Sequence, residues 1–306
     1  MKTIQFGSKK MRVPAVAVGC MRLNQLSYEQ AEEFIQQALE LDATFFDHAD
    51  IYGDGECERI FGKILGCHPS MREQMMIQSK CGIVPGKMYD LSRQHIVESV
   101  DASLQRLQTE YLDVLVLHRP DTLMDPEEIA YTFDYLQKSG KVRNFGVSNM
   151  NPMQIELLLR YVRQPICVNQ MQLSITNSNM ISGQLEVNME TPGGVNRDGY
   201  ILDYCRSHSI TIQTWSPFQY GMFEGCFIGS EKYPELNQVL SELADKYGVN
   251  ETTIAAAWIL RHPAKMQLLT GTTNGTHLRE VIAATQISLT REEWYQLYLA
   301  GGHILP

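Results

Sequence analysis

Short apolar, β-branched runs recur along the chain, separated by longer stretches in which apolar residues return every three or four positions. The first pattern predicts buried strands and the second amphipathic helices. Eight runs qualify as strands: Ala15–Gly19, Thr44–Asp47, Met75–Lys80, Asp113–His118, Val142–Ser148, Cys167–Gln170, Thr211–Trp215 and Gln267–Thr270. Between them, "SRQHIVESVDASLQRL" places Ile96, Val97, Val100, Leu104 and Leu107 at helical spacing, with Ser92 positioned to cap. "DPEEIAYTFDYLQKSGK" opens with Asp125 at the cap and Pro126 at the first helical position, and stops at Gly140. Eight β-then-α units predict parallel strands buried on both faces. Closed on itself, this α/β arrangement is a (β/α)8 TIM barrel, and the length is typical of one. The preceding "IQFGSKKMRV" predicts a short N-terminal β-hairpin. With no other repeat, linker or low-complexity segment, residues 1–306 read as a single barrel domain.

Three stretches interrupt the rhythm: 81–91, 171–199 and 218–233. Each follows a strand and so belongs on the C-terminal face of the barrel, where active sites sit. The second, rich in Asn, Ser and Gly, is long for an ordinary connection, and its internal structure is not legible.

Composition narrows the setting. Net charge is −9 without a basic stripe, which argues against a nucleic-acid partner. No apolar run is long enough for a membrane span, and "MKTIQFGSKKMRVP" has no apolar signal core, which argues against secretion. The seven cysteines are scattered, without a CxxC pair, so no metal site is expected and a reducing cytoplasm suits them.

Chemistry gathers at three successive strand ends. Asp47 closes the second strand, Lys80 the third and His118 the fourth, while Tyr52 stands in the loop just past Asp47. Adjacent strands lie about 4.8 Å apart, so these side chains can converge. Taken singly, each has an ordinary explanation as a rim tyrosine, a strand-end lysine, a satisfied histidine or a loop acid. Together they fit a general acid for carbonyl reduction. A cation beside the tyrosine lowers a pKa that is otherwise near 10, Asp47 fixes that cation, and His118 orients the carbonyl oxygen. The hydride must come from a cofactor. Arg119, beside His118, either binds a substrate anion or pairs with Asp121 in a tight turn; the pair is the expected arrangement.

"FFDHADIYG", "QSKCG", "SLQRLQTEYLDVLVLHRPD" and "GKVRNFGVSN" together resemble the aldo-keto reductase superfamily, in its order and over nearly the whole chain. The nearest branch is the bacterial YdhF-like oxidoreductases. The resemblance implies a catalytic tetrad of Asp47, Tyr52, Lys80 and His118, with NADP(H) as hydride carrier and NAD(H) as a second option. It further implies that Ser148, Asn149 and Gln170 hold the nicotinamide carboxamide and that Trp215 stacks on its ring. Ser216, Pro217 and Phe218 match the pyrophosphate stretch. Gly271, Thr272, Thr273 and His277 stand where the 2′-phosphate is held, and Glu280 matches an adenine contact. Where relatives carry Lys or Arg for that phosphate, this chain carries Asn274 and His277, so a weaker preference for NADP is expected. Ser148 and Asn149 have a simpler alternative role as caps for the helix at Pro152.

The reading is an NAD(P)H-dependent reductase of small aldehydes or ketones, cytoplasmic, without an obligate protein partner. The chain ends soon after "TREEWYQLYLAGGHILP", so little remains for a C-terminal loop and an open, broad pocket is expected. The rival is a nucleotide-binding regulatory or channel-associated barrel with little turnover. Retention of all four catalytic residue types weighs against it.

Overall fold

In the computed structural model, which describes residues 1–305, eight parallel strands close into a barrel. The chain opens with an antiparallel hairpin, β1 (Thr3–Phe6) and β2 (Met11–Pro14), and enters the barrel at β3 (Val16–Gly19) and β4 (Phe45–Asp47). The barrel continues through β5 (Met76–Cys81), interrupted by the short hairpin β6 (Ile83–Val84) and β7 (Met88–Tyr89). It runs on through β8 (Leu112–Leu117), β9 (Val142–Ser148), β10 (Ile166–Gln172) and β11 (Thr211–Trp215). A third hairpin, β12 (Gln219–Tyr220) and β13 (Gly225–Cys226), precedes the last barrel strand, β14 (Gln267–Thr270), which pairs with β3.

Helices cover the outside: α1 (Tyr28–Glu40), α2 (Glu56–Cys67), α3 (Arg93–Leu107), α4 (Pro126–Lys138) and α5 (Pro152–Leu159). They continue as α6 (Asn179–Leu185), α7 (Ile201–Ser207), α8 (Pro234–Tyr247), α9 (Glu251–Leu260), α10 (Gly275–Ala283) and α11 (Arg291–Ala300). The expected caps form. Ser92 Oγ accepts from the His95 amide, and Asp125 accepts from the Glu127 amide ahead of Pro126. The 171–199 stretch contains α6 and a series of turns, including Asn196 and Asp198 accepting from the amides two residues on.

Strand alternation sorts the core into two layers. Phe46, Ile77, Leu115 and Leu117 point outward to the helices, while Phe45, Val114, Val116 and Val168 point into the barrel. The N-terminal hairpin closes the bottom, with Phe6 against Phe45 at 5.5 Å between ring centroids. Four buried glutamines, Gln78, Gln170, Gln213 and Gln267, interrupt the apolar interior. Among the described residues no helix is long and apolar enough to cross a membrane.

Candidate active site

Register places the catalytic candidates. Gly19 lies opposite Asp47, Asp47 opposite Gln78, and Lys80 opposite Val116. Lys80 is therefore one pleat above Asp47 on the same inward face, and its long side chain returns to it. The Lys80 ammonium donates to Asp47 Oδ2 at 2.7 Å, to the His48 carbonyl at 2.8 Å and to Tyr52 Oη at 3.1 Å. Its three hydrogens have three acceptors, which is how a buried ammonium avoids an unmet desolvation cost.

Asp47 is fixed from the other side as well. Its Oδ1 accepts from Gln78 Nε2 at 2.6 Å and Gln170 Nε2 at 3.1 Å. The glutamine chain continues through Gln213 Oε1 to Gln267 Oε1, and Gln267 Nε2 donates to the Pro14 carbonyl at the barrel floor. Sequence reading assigned Gln170 elsewhere and gave no role to Gln78, Gln213 or Gln267. Their signal is an amide at an inward strand position, where aliphatic residues are the rule in such barrels.

Tyr52 is presented by the turn Tyr52–Gly55, in which Gly53 and Asp54 both take left-handed backbone angles. Glycine at 53 suits its φ of +56°. The His118 ring stands edge-on to Tyr52, with centroids 6.1 Å apart and planes at 83°.

The electrostatics correct one expectation. Burial pushes the Tyr52 phenol above its ordinary 10.0, and although Lys80 pulls it down, the net direction is upward. For Lys80, burial pulls the pKa down, but Asp47 and Tyr52 outweigh it, so the ammonium is held above its ordinary value. Burial, then Lys80 and Arg119, drive His118 well below the usual histidine value, so its ring is neutral. Its Nδ1 is buried without a hydrogen-bond partner.

A cleft of about 770 Å³ opens over this group, within the range of small-molecule and cofactor sites. Asp47, Tyr52 and His118 line it, as do Ser148, Asn149, Gln170, Trp215, Ser216, Pro217 and Phe218, and Gly271, Thr272 and His277. Thr273 and Glu280 do not; the Glu280 carbonyl accepts from Thr253 Oγ1. The cap alternative for Ser148 and Asn149 is excluded, because Asn151 caps α5. Instead Ser148 Oγ donates to the Gln170 carbonyl at 3.0 Å, and Asn149 Nδ2 donates to Ser148 Oγ at 2.7 Å. Asn149 and Ser216 both have positive φ at the ends of β9 and β11, a local strain typical of functional turns.

Two arginines complete the lining. The Arg119–Asp121 pair does not form: Asp121 accepts from the Leu91 and Leu123 amides, and the Arg119 guanidinium lies 6.0 Å from the centre of the Trp215 ring. Arg22, which sequence reading missed, donates to the Gly271 carbonyl at 2.8 Å. A Cβ at Gly271 would meet that guanidinium at 2.8 Å, so glycine is what admits it. The available signal was a basic residue just past the first barrel strand.

The donor set suits a nicotinamide dinucleotide. Gln170, Ser148 and Asn149 line the cleft, the Gln170 side chain is held, among the described residues, through its Nε2 alone, and Trp215 is half-buried with Phe223 stacked on its ring at 5.8 Å. Arg22 and His277, the latter in the first turn of α10, also line the cleft, and a guanidinium there suits phosphate.

The sequence model of the Aldo/keto reductase family matches residues 15–298. The uncharacterized oxidoreductase YcsN of Bacillus subtilis is 32% identical over 100% of both chains. Oxidoreductase YdhF of Escherichia coli is 32% identical over 92% of this chain and 91% of its own. Among solved structures, the thermostable aldo-keto reductase Tm1743, crystallised with the inhibitor epalrestat, superposes with a TM-score of 0.78 at 26% identity, covering 98% of this chain and 100% of that one.

Proposed function

Since the chain belongs to the aldo/keto reductase family and is thereby an NAD(P)H-dependent oxidoreductase of carbonyl groups, we propose that Tyr52 is its general acid. Lys80 and Asp47 hold the phenol in place, and His118 orients the carbonyl oxygen. The observation that carries this reading is the single ammonium of Lys80 bonded at once to Asp47 and Tyr52.

A bound dihydronicotinamide would supply the hydride. Ser148, Asn149 and Gln170 would hold its carboxamide and Trp215 its ring face. Ser216, Pro217 and Phe218 would flank the pyrophosphate. Gly271 and Thr272, with Arg22 and His277, would receive the phosphate end, whereas Thr273 and Glu280 stand outside the cleft lining.

Tyr52 releases its proton to the carbonyl oxygen as negative charge builds there. That oxygen becomes far more basic than a phenolate, so the transfer runs downhill even from a phenol whose pKa is raised. Lys80 stays charged and steadies the phenolate left behind. Neutral His118 donates one ring N–H to the same oxygen. Ile83, Phe218 and Ile228 give the cleft apolar walls that strengthen these interactions.

The substrate is a small carbonyl compound. A net charge of −9 speaks against nucleic acid, and seven free cysteines suit a reducing cytoplasm. The test is a fluorescence titration with NADPH and NADH, then turnover of a panel of aldehydes, diketones and quinones. Saturable binding with cofactor oxidation by at least one carbonyl class is expected. Binding without oxidation by any of them would sink the reading of Tyr52 as a working acid.

A further inference from the structure

The cleft lining holds one carboxylate, Asp47, and that group is bonded to Lys80 and two glutamine amides. It also holds two guanidiniums. Arg22 is tied to the Gly271 carbonyl, between β3 and β14, at the end that suits phosphate. Arg119 is differently placed. It leaves the end of β8 and reaches past β9 and β10 to Trp215 at the end of β11. Its neighbour in sequence is His118, whose ring faces Tyr52. The guanidinium therefore lines the cleft between His118 and the Trp215 ring. Among the described residues it makes no ion pair and no hydrogen bond.

A cation in an apolar-walled cleft is costly unless something pairs with it. The arginine fork matches the two oxygens of a carboxylate, or of a phosphate, better than any other side chain does. A carbonyl seated on Tyr52 and His118 would have its substituents within reach of that fork.

We infer that Arg119 selects the substrate: the cleft takes carbonyl compounds that carry an oxyanion, carboxylate or phosphate, which the guanidinium holds while Tyr52 meets the carbonyl. This rests on the reading of Tyr52 as the acid.

Matched substrate pairs test it. 4-Carboxybenzaldehyde is compared with its methyl ester, and glyceraldehyde 3-phosphate with glyceraldehyde, in wild type, Arg119→Ala and Arg119→Lys at saturating NADPH. The reading is the ratio of kcat/KM for the anionic over the neutral member, which cancels general effects on catalysis or folding. In Arg119→Ala the ratio should fall by roughly tenfold or more in at least one pair, the size of one lost hydrogen bond to a charged group. Arg119→Lys should fall between. The pair that responds identifies the anion as carboxylate or phosphate. Tryptophan fluorescence titrated with benzoate and with inorganic phosphate gives a readout without turnover. An anion-dependent signal in wild type that Arg119→Ala loses supports the inference even if no carbonyl is reduced, in which case only the reading of Tyr52 falls. Equal ratios in wild type and Arg119→Ala for both pairs overturn it. So does the absence of both turnover and an anion-dependent signal.

Discussion

The Lys80 ammonium stands 2.7 Å from Asp47 Oδ2, and the two side chains are 0% and 1% exposed. Removing one partner of such a pair leaves the other charge buried without compensation. Asp47→Asn keeps the volume and should destabilise the fold by about 3–5 kcal/mol. The measurement is the urea unfolding midpoint, and an unshifted midpoint would show that the pair is not a structural charge pair. Lys80→Met should abolish carbonyl reduction, because the phenol loses its cation.

Tyr52→Phe should abolish turnover while leaving cofactor binding in place, because the hydroxyl is the acid and the ring keeps its volume. The wild-type pH profile offers a second check. Reduction needs the phenol protonated, and burial holds its pKa above 10.0. His118, held well below its ordinary 6.5, stays neutral. Reductive kcat/KM should therefore be flat from about pH 7 to 9, with its alkaline limb beyond the ordinary tyrosine value of about 10. A limb centred below pH 8 would point to a different acid.

His48 carries a stability prediction. Its ring is fully buried against Phe61, at 4.5 Å between centroids, and burial drives its pKa down to about 3. A depressed folded-state value means that the unfolded chain takes up the proton first. The stability is whole above about pH 6.5 and is lost as pH falls toward 3, at about 1.4 kcal/mol per pH unit. Asp50, whose carboxyl is raised to about 6 by burial and then by Glu58, titrates in the opposite sense over part of this range. Comparison with His48→Met isolates the histidine. The gap between the two unfolding free energies should change with that slope between pH 6 and 4, and parallel pH curves would contradict the burial of a neutral ring.

Trp215 lines the cleft, whereas Trp258 and Trp294 stack on each other 4.9 Å apart and lie outside the lining. NADPH should quench tryptophan emission chiefly through Trp215, and Trp215→Ala should weaken binding and remove most of that quench. If the quench survives, the nicotinamide does not rest on this indole.

His277, in the first turn of α10, lines the cleft, and its backbone amide donates to the Asn274 cap. An imidazole lacks the planar, charged fork that arginine would offer. His277→Arg should raise the preference for NADPH over NADH by roughly tenfold, if the new contact is worth about 1.4 kcal/mol. The comparison is kcat/KM for both cofactors in both proteins at low salt. Equal preferences would shift the 2′-phosphate contact to Arg22 or to the Thr272–Asn274 backbone.

The strands, the helix caps and the convergence of Asp47, Tyr52, Lys80 and His118 were legible in the chain because each is a local rule repeated. Inward positions alternate along a strand, caps sit one residue before a helix, and successive parallel strands end on the same face. Those rules bring the four side chains within reach without any knowledge of what else surrounds them. Tertiary structure decided what depends on neighbours remote in sequence. Arg22 meets Gly271 across a separation of 249 residues. Four glutamines from four strands join beneath Asp47. Arg119 turns from Asp121 toward Trp215. The direction of the Tyr52 shift belongs here too. Proximity to Lys80 could be read from strand order and argued for a lowered value, but burial argues the other way. How much water reaches the hydroxyl depends on the closed barrel and the loops over it, which no local pattern encodes.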